Sequence, residues 1–447
     1  MLSKDNSIPG LDEPCSAMPG AGLTRRQALG ALGALALPWN DLFAQGAAAG
    51  AGAVGAEPPA GGPIPPDLGN LHGVIQWIAD AQRPLNLSFL HPQWRELESW
   101  KKTARPFFRE QLRYNPKSLP VKADFVKREQ REGFTIEVLK LHATPAYHIP
   151  ARVLVPTGRR GRLPAIVALH AHGGRYVWGH ETLISHPADS EELRNKRDST
   201  YGQPWAEHLC RRGYIVIVID AFYFGERRLR VEDLPPDQVI REAQDSFKAA
   251  MKAPVGSAAW EAGINRACTL YESITAKNLF AAGATWPGLH TWDDMRAVDY
   301  LLTRSDVDPE RIGCGGLSIG GLRSAHLIAA DPRIKAATIT GWMTEFAHQH
   351  RNHLRNHTWM IYVPGVYGAM DFPDIASLHA PGALLVQQCR QDLLYPPKAM
   401  QDAVDRLSRI YTKAGIPERF RGTFYDVPHV FRPHMQEETF EWFDRWL

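Results

Sequence analysis

The apolar and polar positions of this chain change rhythm twice. Leu68 to Ala81 and Pro92 to Arg113 carry apolar residues at helical spacing and predict two accessory helices, with Trp77, Trp94, Trp100 and Phe107 available to pack on a larger body. Two strands are expected next, Gly133 to His142 and Ile149 to Pro156, the first alternating Phe134, Ile136 and Val138 with polar partners. From Leu163 the pattern becomes short apolar runs separated by helical stretches. The runs are Ala165 to His170, Tyr214 to Asp220, Arg311 to Cys314, Ile334 to Thr340, Gly382 to Gln388 and Arg419 to Asp426. Helices are expected near Tyr201 to Arg212, Trp292 to Thr303, Ile319 to Ala330, Pro397 to Ala414 and Pro433 to Trp446. Strands that are apolar on both faces and alternate with helices predict an α/β fold, a mainly parallel central sheet flanked by helices. Residues 225–289 and 342–380 interrupt the rhythm and read as helical insertions over a site at the carboxyl edge of the sheet.

Before residue 67 the character differs. Residues 1–50 hold Thr24-Arg25-Arg26-Gln27-Ala28-Leu29 ahead of a mildly apolar stretch and a run of small residues, a pattern similar to a twin-arginine signal. It departs from that pattern at Ala28 and Gly30, and an Ala/Gly tail with an accidental arginine pair is the alternative. Residues 51–66 are rich in Pro and Gly and read as a linker, 67–132 as accessory N-terminal helices, and 133–447 as a catalytic domain. The expectation is export to the periplasm or beyond, without stable membrane insertion, because no run of about 18 apolar residues occurs.

Composition adds exclusions. A formal charge of +3 over 447 residues, with no basic run, gives no reason to expect a nucleic-acid partner. Of five cysteines, Cys15 lies in the signal-like segment, while Cys210, Cys268, Cys314 and Cys389 sit in apolar surroundings without C-x-x-C spacing, so no obligatory disulfide is expected. No G-x-G-x-x-G or Walker pattern occurs, so no nucleotide cofactor is expected. His348, His350, His353 and His357 form a histidine-rich run that lacks an H-E-x-x-H frame and reads as polar lid surface rather than a metal site.

The chemistry is concentrated at Gly316-Leu317-Ser318-Ile319-Gly320, which an apolar strand enters and a small-residue helix leaves. A serine hydroxyl is a weak nucleophile, and a tight strand-to-helix turn exposes it to a base and to backbone N–H groups. The base and its orienting acid are expected later in the chain, in the order acid then histidine. Asp392 follows the strand ending at Gln388, and His429 follows the last strand. Ser318 is therefore read as nucleophile, His429 as general base and acid, and Asp392 as the orienting carboxylate. Glu345, Asp371 and Asp374 are rival acids, and His434 is a rival base at a helix start. The oxyanion donors are expected to be the N–H of Ile319 and one from His170-Ala171-His172-Gly173-Gly174, with His172 favoured and Gly173 next. Trp342, Tyr223 and Trp178 are candidate substrate-binding rings, and could equally be lid core.

Together, His170-Ala-His-Gly-Gly, Asp220-Ala-Phe-Tyr-Phe-Gly-Glu-Arg, Asp308-Pro-Glu-Arg-Ile-Gly, Gly316-Leu-Ser-Ile-Gly-Gly, Asp392 and His429 resemble the α/β-hydrolase superfamily, in its dienelactone-hydrolase-like and acetyl-xylan-esterase-like branch. The resemblance spans roughly 133–447. It implies an α/β-hydrolase fold and a cofactor-free serine esterase acting on a small-molecule or oligosaccharide ester. A peptidase of prolyl-oligopeptidase type and a catalytically dead binding protein on the same scaffold are the alternatives. The family's usual His-Gly-aromatic oxyanion turn is replaced here by His170-Ala171-His172.

Overall fold

The computed structural model describes residues 71–117, 119–349 and 353–447; the signal-like segment, the linker and His350 lie outside them. Nine strands are found among these residues: β1 (Ala123–Arg131), β2 (Phe134–Thr144), β3 (Tyr147–Pro156), β4 (Leu163–Leu169), β5 (Ile215–Ile219), β6 (Val307–Leu317), β7 (Ala336–Thr340), β8 (Ala383–Cys389) and β9 (Phe420–Tyr425). They form one sheet in the order β1-β2-β3-β5-β4-β6-β7-β8-β9. The first three pair antiparallel and β3 runs antiparallel to β5, while β4 to β9 are parallel. The helices are α1 (Leu71–Ala81), α2 (Leu97–Gln111), α3 (Glu191–Thr200), α4 (Trp205–Arg212), α5 (Gln244–Lys252), α6 (Ala258–Ala281), α7 (Trp286–Thr303), α8 (Ile319–Ala330), α9 (Phe372–Ser377), α10 (Pro397–Lys413) and α11 (Pro433–Trp446). This mostly parallel sheet between helices is the α/β-hydrolase fold.

Alternation of Cβ direction divides each apolar run between two cores. Val167, Ile217, Cys314, Ile339 and Val386 enter the larger core, with Trp100 and Phe108 of α2 and residues of α6, α7, α8 and α10. Ile166, Val216 and Leu385 enter the smaller one, against Trp205 and Leu209 of α4 and Phe440 and Phe443 of α11. Complete burial of one such aliphatic side chain contributes about 1.5–3 kcal/mol, so strands buried on both faces anchor the fold. α4 stops at Gly213, which takes φ +121° and whose N–H donates to Cys210 O at 2.9 Å.

Three features differ from the sequence pattern. β1 falls within the segment read as helical; its residues ADFVKREQR are mostly exposed, because an edge strand paired on one side has little to bury. α3 was not expected, since its sequence EELRNKRDST lacks an apolar stripe; it starts from a side-chain cap in which Ser190 accepts from Leu193 N–H, at 3.2 Å. Trp77 of α1 does not pack on the body but is 72% exposed, whereas Trp100 of α2 is fully buried. The 225–289 insertion contains α5 and α6, and the 342–380 insertion contains α9. No helix among the described residues is long and apolar enough to cross a membrane.

Candidate active site

β4, β6, β8 and β9 run in parallel, so the segments after them emerge on the same edge of the sheet. β4 sits between β5 and β6, so the strand order reverses there, the kind of place at which open α/β sheets bind ligands. Ser318 occupies the junction of β6 and α8 with φ +60° and ψ −122°, a conformation unfavourable for a residue with a side chain. Its N–H donates to Thr340 O at 2.9 Å, which fixes the turn against the end of β7. The flanking glycines are required by contact. A Cβ on Gly316 or on Gly320 would come within 2.2 Å of Leu169 O.

The loops after β8 and β9 are joined by backbone bonds from Arg390 N–H to Tyr425 O at 2.8 Å and from Gln391 N–H to Val427 O at 3.1 Å. This pairing brings Asp392 and His429 together, with His429 Nδ1 2.5 Å from Asp392 Oδ2. Asp392 is only 4% exposed, and its other oxygen accepts from Leu394 N–H at 2.9 Å. The imidazole borders the same segment that holds Ser318: a Cβ on Gly341 would lie 3.3 Å from His429 Cε1. Ser318 is half-buried, and among the described residues its hydroxyl and the His429 imidazole share no hydrogen bond.

The rival groups are engaged elsewhere. Glu345 pairs with Arg406 at 3.1 Å, Asp374 pairs with Arg406 at 2.7 Å, and Asp371 caps α9. His434 is exposed in the first turn of α11.

At the turn after β4, neighbouring side chains account for some of the backbone donors. His170 is buried, and burial above all pulls its pKa down to about 3. Its Nε2 accepts from Ala221 N–H at 3.1 Å and its Nδ1 faces Ala171 O at 3.0 Å, which ties the ends of β4 and β5 together. Ala171 N–H donates to Tyr201 Oη at 3.2 Å and Gly174 N–H to His172 Nδ1 at 3.0 Å. Among the described residues this leaves the N–H groups of His172 and Gly173 without an acceptor in this turn. Ile319 N–H opens α8, where the first-turn donors have no intrahelical acceptor. Gly173 and Gly174 take φ +58° and +69°, the left-handed backbone that such a turn needs.

A residue without any warning in the sequence holds this region together. Glu272 of α6 is buried, accepts from Tyr176 Oη at 2.5 Å and Trp359 N–H at 2.6 Å, and also accepts from the Thr358 hydroxyl. Because His172 Nδ1 accepts from Gly174, the ring proton of neutral His172 sits on Nε2, 3.7 Å from Glu272 Oε2. Burial raises the pKa of Glu272, but the donors around it outweigh burial and leave it below the ordinary value. One carboxylate thus connects both insertions to the turn after β4. Only long-range contacts reveal it.

The candidate substrate rings are packed. Trp342 is 2% exposed and meets Phe372 and Tyr395 edge-on at 5.6 and 5.7 Å. Tyr223 donates to Cys268 O at 3.0 Å, and Trp178 is buried. In the histidine run, His348 lies 3.1 Å from Asp402, while His357 packs against Tyr395 with a ring separation of 5.2 Å. Among the described residues, two side-chain sets bring three potential metal-ligand atoms within 4.8 Å, namely His180 with Asp220 and Glu226, and Glu345 with His348 and Asp402. In both sets cations already hold carboxylates: Arg152 pairs with Glu226 at 2.6 Å, and Lys398 with Asp402 at 2.6 Å. A cavity of about 880 Å³ bordered by Arg83, His91, Glu345 and Arg409 shares no lining residue with Ser318, Asp392 or His429. The four cysteines of the described residues are free and buried.

No protein-family model matches the chain. In sequence it is similar to YtaP of Bacillus subtilis (strain 168), named as a candidate hydrolase, with 25% identity over 333 residues, or 74% of this chain and 95% of the relative. Among solved structures it is similar to a Bacteroides fragilis NCTC 9343 protein described as a candidate acetyl xylan esterase, with a TM-score of 0.59 and 19% identity over 79% of this chain and 82% of that one. It is also similar to a glucuronoyl esterase from Solibacter usitatus, with a TM-score of 0.53 and 15% identity over 78% of this chain and 93% of that one. These likenesses extend to the shared α/β-hydrolase fold.

Proposed function

We propose that this chain is an exported serine carboxylesterase that hydrolyses carboxylic esters, such as acetylated or acylated carbohydrate, through an acyl-enzyme intermediate. The observation that carries the reading is the 2.5 Å contact between His429 Nδ1 and Asp392 Oδ2 beside a serine held at positive φ. Hydrogen-bonded through Nδ1, the imidazole has Nε2 available as base. It takes the Ser318 proton as the hydroxyl oxygen attacks the ester carbonyl. Negative charge on the carbonyl oxygen meets the N–H of Ile319 and those of His172 and Gly173, donors that together contribute several kcal/mol of transition-state stabilisation. The alcohol leaves with the proton from His429, and water then repeats the path to release the acid. The glucuronoyl and acetyl xylan esterase names carried by proteins of this fold favour carbohydrate esters, and the twin-arginine-like segment favours export.

Hydrolysis of short 4-nitrophenyl esters tests the reading against an aminoacyl anilide. Native protein is expected to cleave the esters, and Ser318→Ala to reduce turnover about 10⁴-fold or more. Cleavage of the anilide alone would favour a peptidase. Inactivity on both, with Ser318 unreactive towards a phosphonate, would favour a binding protein.

A further inference from the structure

Lys196 lies beside the candidate oxyanion turn, without a counter-ion among the described residues. Gly173 has φ +58°, and a Cβ at that position would lie 3.0 Å from Lys196 Cε and 3.3 Å from its Nζ. The ammonium therefore sits against the backbone that would carry the second oxyanion donor. The helix presenting it, α3, is firmly held: the neighbouring Arg197 is buried, pairs with Asp189 at 2.6 Å, and donates to Glu181 O at 2.6 Å and Ile184 O at 3.2 Å. Arg197 thus has three acceptors and Lys196 none. Among the described residues no carboxylate pairs with Lys196, not even Glu192 one helical turn earlier. The charge acting on it is that of Arg175, a second cation. Burial, reinforced by Arg175, pulls the Lys196 pKa down to about 8. An ammonium partly withdrawn from water and facing a like charge is costly, and an anion arriving from outside would offset that cost.

We propose that Lys196, with the exposed Arg175 nearby, receives a carboxylate carried by the substrate, so that the preferred esters are anionic. This rests on the serine-esterase reading. It goes further by naming a charge class and the residue that selects it. The carboxylate could belong to the acyl part or to the alcohol part, and the two require different probes.

Two matched pairs separate them: 4-nitrophenyl hexanoate against the mono-4-nitrophenyl ester of adipic acid, and 4-acetoxybenzamide against 4-acetoxybenzoate. The readout is the anionic-to-neutral ratio of kcat/KM at pH 7 and low salt. A hydrogen-bonded ion pair formed at the site predicts a ratio of about ten or more in one pair. The pair that shows it identifies the part bearing the charge. Lys196→Met should bring that ratio to near one, Lys196→Arg should keep most of it, and added salt should lower it in the native enzyme. Native ratios near one in both pairs would overturn the proposal, as would a preference that survives in Lys196→Met. Either result would leave the esterase reading standing. Loss of all ester hydrolysis together with an unlabelled Ser318 would instead remove the esterase reading beneath it. The native ratios and their salt dependence decide the question even if the methionine variant folds poorly.

Discussion

Asp392 and His429 face each other across two loops, and the value of that contact lies in which proton it holds in place. An amide at 392 could still reach His429 Nδ1 but would offer N–H as readily as C=O, which allows the imidazole to turn or to take the wrong tautomer. Asp392→Asn is therefore expected to lower kcat about 10³–10⁴-fold while the unfolding temperature changes little, measured on a 4-nitrophenyl ester and by thermal melting. A variant with near-native kcat would remove Asp392 from the proposed machinery. The proximity of Asp392 and His429 was legible in the sequence because they follow β8 and β9, which are adjacent in the sheet. The residues that support them were not. Tyr201 Oη meets Ala171 N–H from 30 positions away, and Tyr176 Oη meets Glu272 from 96 positions away. No local spacing encodes either. The same holds for Trp342, Tyr223 and Trp178: an aromatic ring near a strand end is equally suited to a pocket wall and to a lid core, and all three are buried.

Elements were legible where burial imposed a pattern. The runs that became β4, β5, β7 and β8 are fully or nearly fully buried, and a predominance of apolar residues, interrupted by Thr338, Thr340, Gln387 and Gln388, marks them. β1 and α3 carry charge on most positions and depend on a neighbouring strand or a capping serine. The insertions were recognised as interruptions, but their joint was not. Glu272 fastens α6 to Thr358 and Trp359 of the second insertion, and faces His172. Glu272→Ala would leave several buried donors unsatisfied, each costing about 1–3 kcal/mol. The expected outcome is faster limited proteolysis within 225–289 and 342–380 and a lower kcat/KM, with the rest of the chain still protected. Equal proteolysis of native and variant protein would show that the insertions are held by packing alone.

At the scale of the molecule, the question is where the folded body begins. The sequence boundary between accessory helices and catalytic domain at residue 133 is not an energetic boundary, because α2 is part of the larger core. Trp100, Ala104 and Phe108 are fully buried there, and Phe89 is 1% exposed. Polar contacts bind the same segment to the body: Ser88 Oγ donates to Asp374 at 2.7 Å, Lys413 Nζ to Phe89 O at 2.6 Å, and Thr285 Oγ1 to Leu112 O at 2.6 Å. Loss of a single buried Trp or Phe costs about 3–5 kcal/mol, while a whole protein is stable by about 5–15 kcal/mol. Removing Phe89, Trp100 and Phe108 together would use up that margin. A chain starting at residue 133 is therefore expected to be insoluble or to melt without a cooperative transition, although it retains Ser318, Asp392 and His429. A chain starting at residue 67 loses only the signal-like segment and the linker, and should fold, melt cooperatively and hydrolyse the same esters at the native rate. Soluble yield, circular dichroism on heating and 4-nitrophenyl ester turnover compare the two. A folded, active chain from 133 would mean that α2 is an appendage, and an unfolded chain from 67 would mean that residues before it contribute to the body.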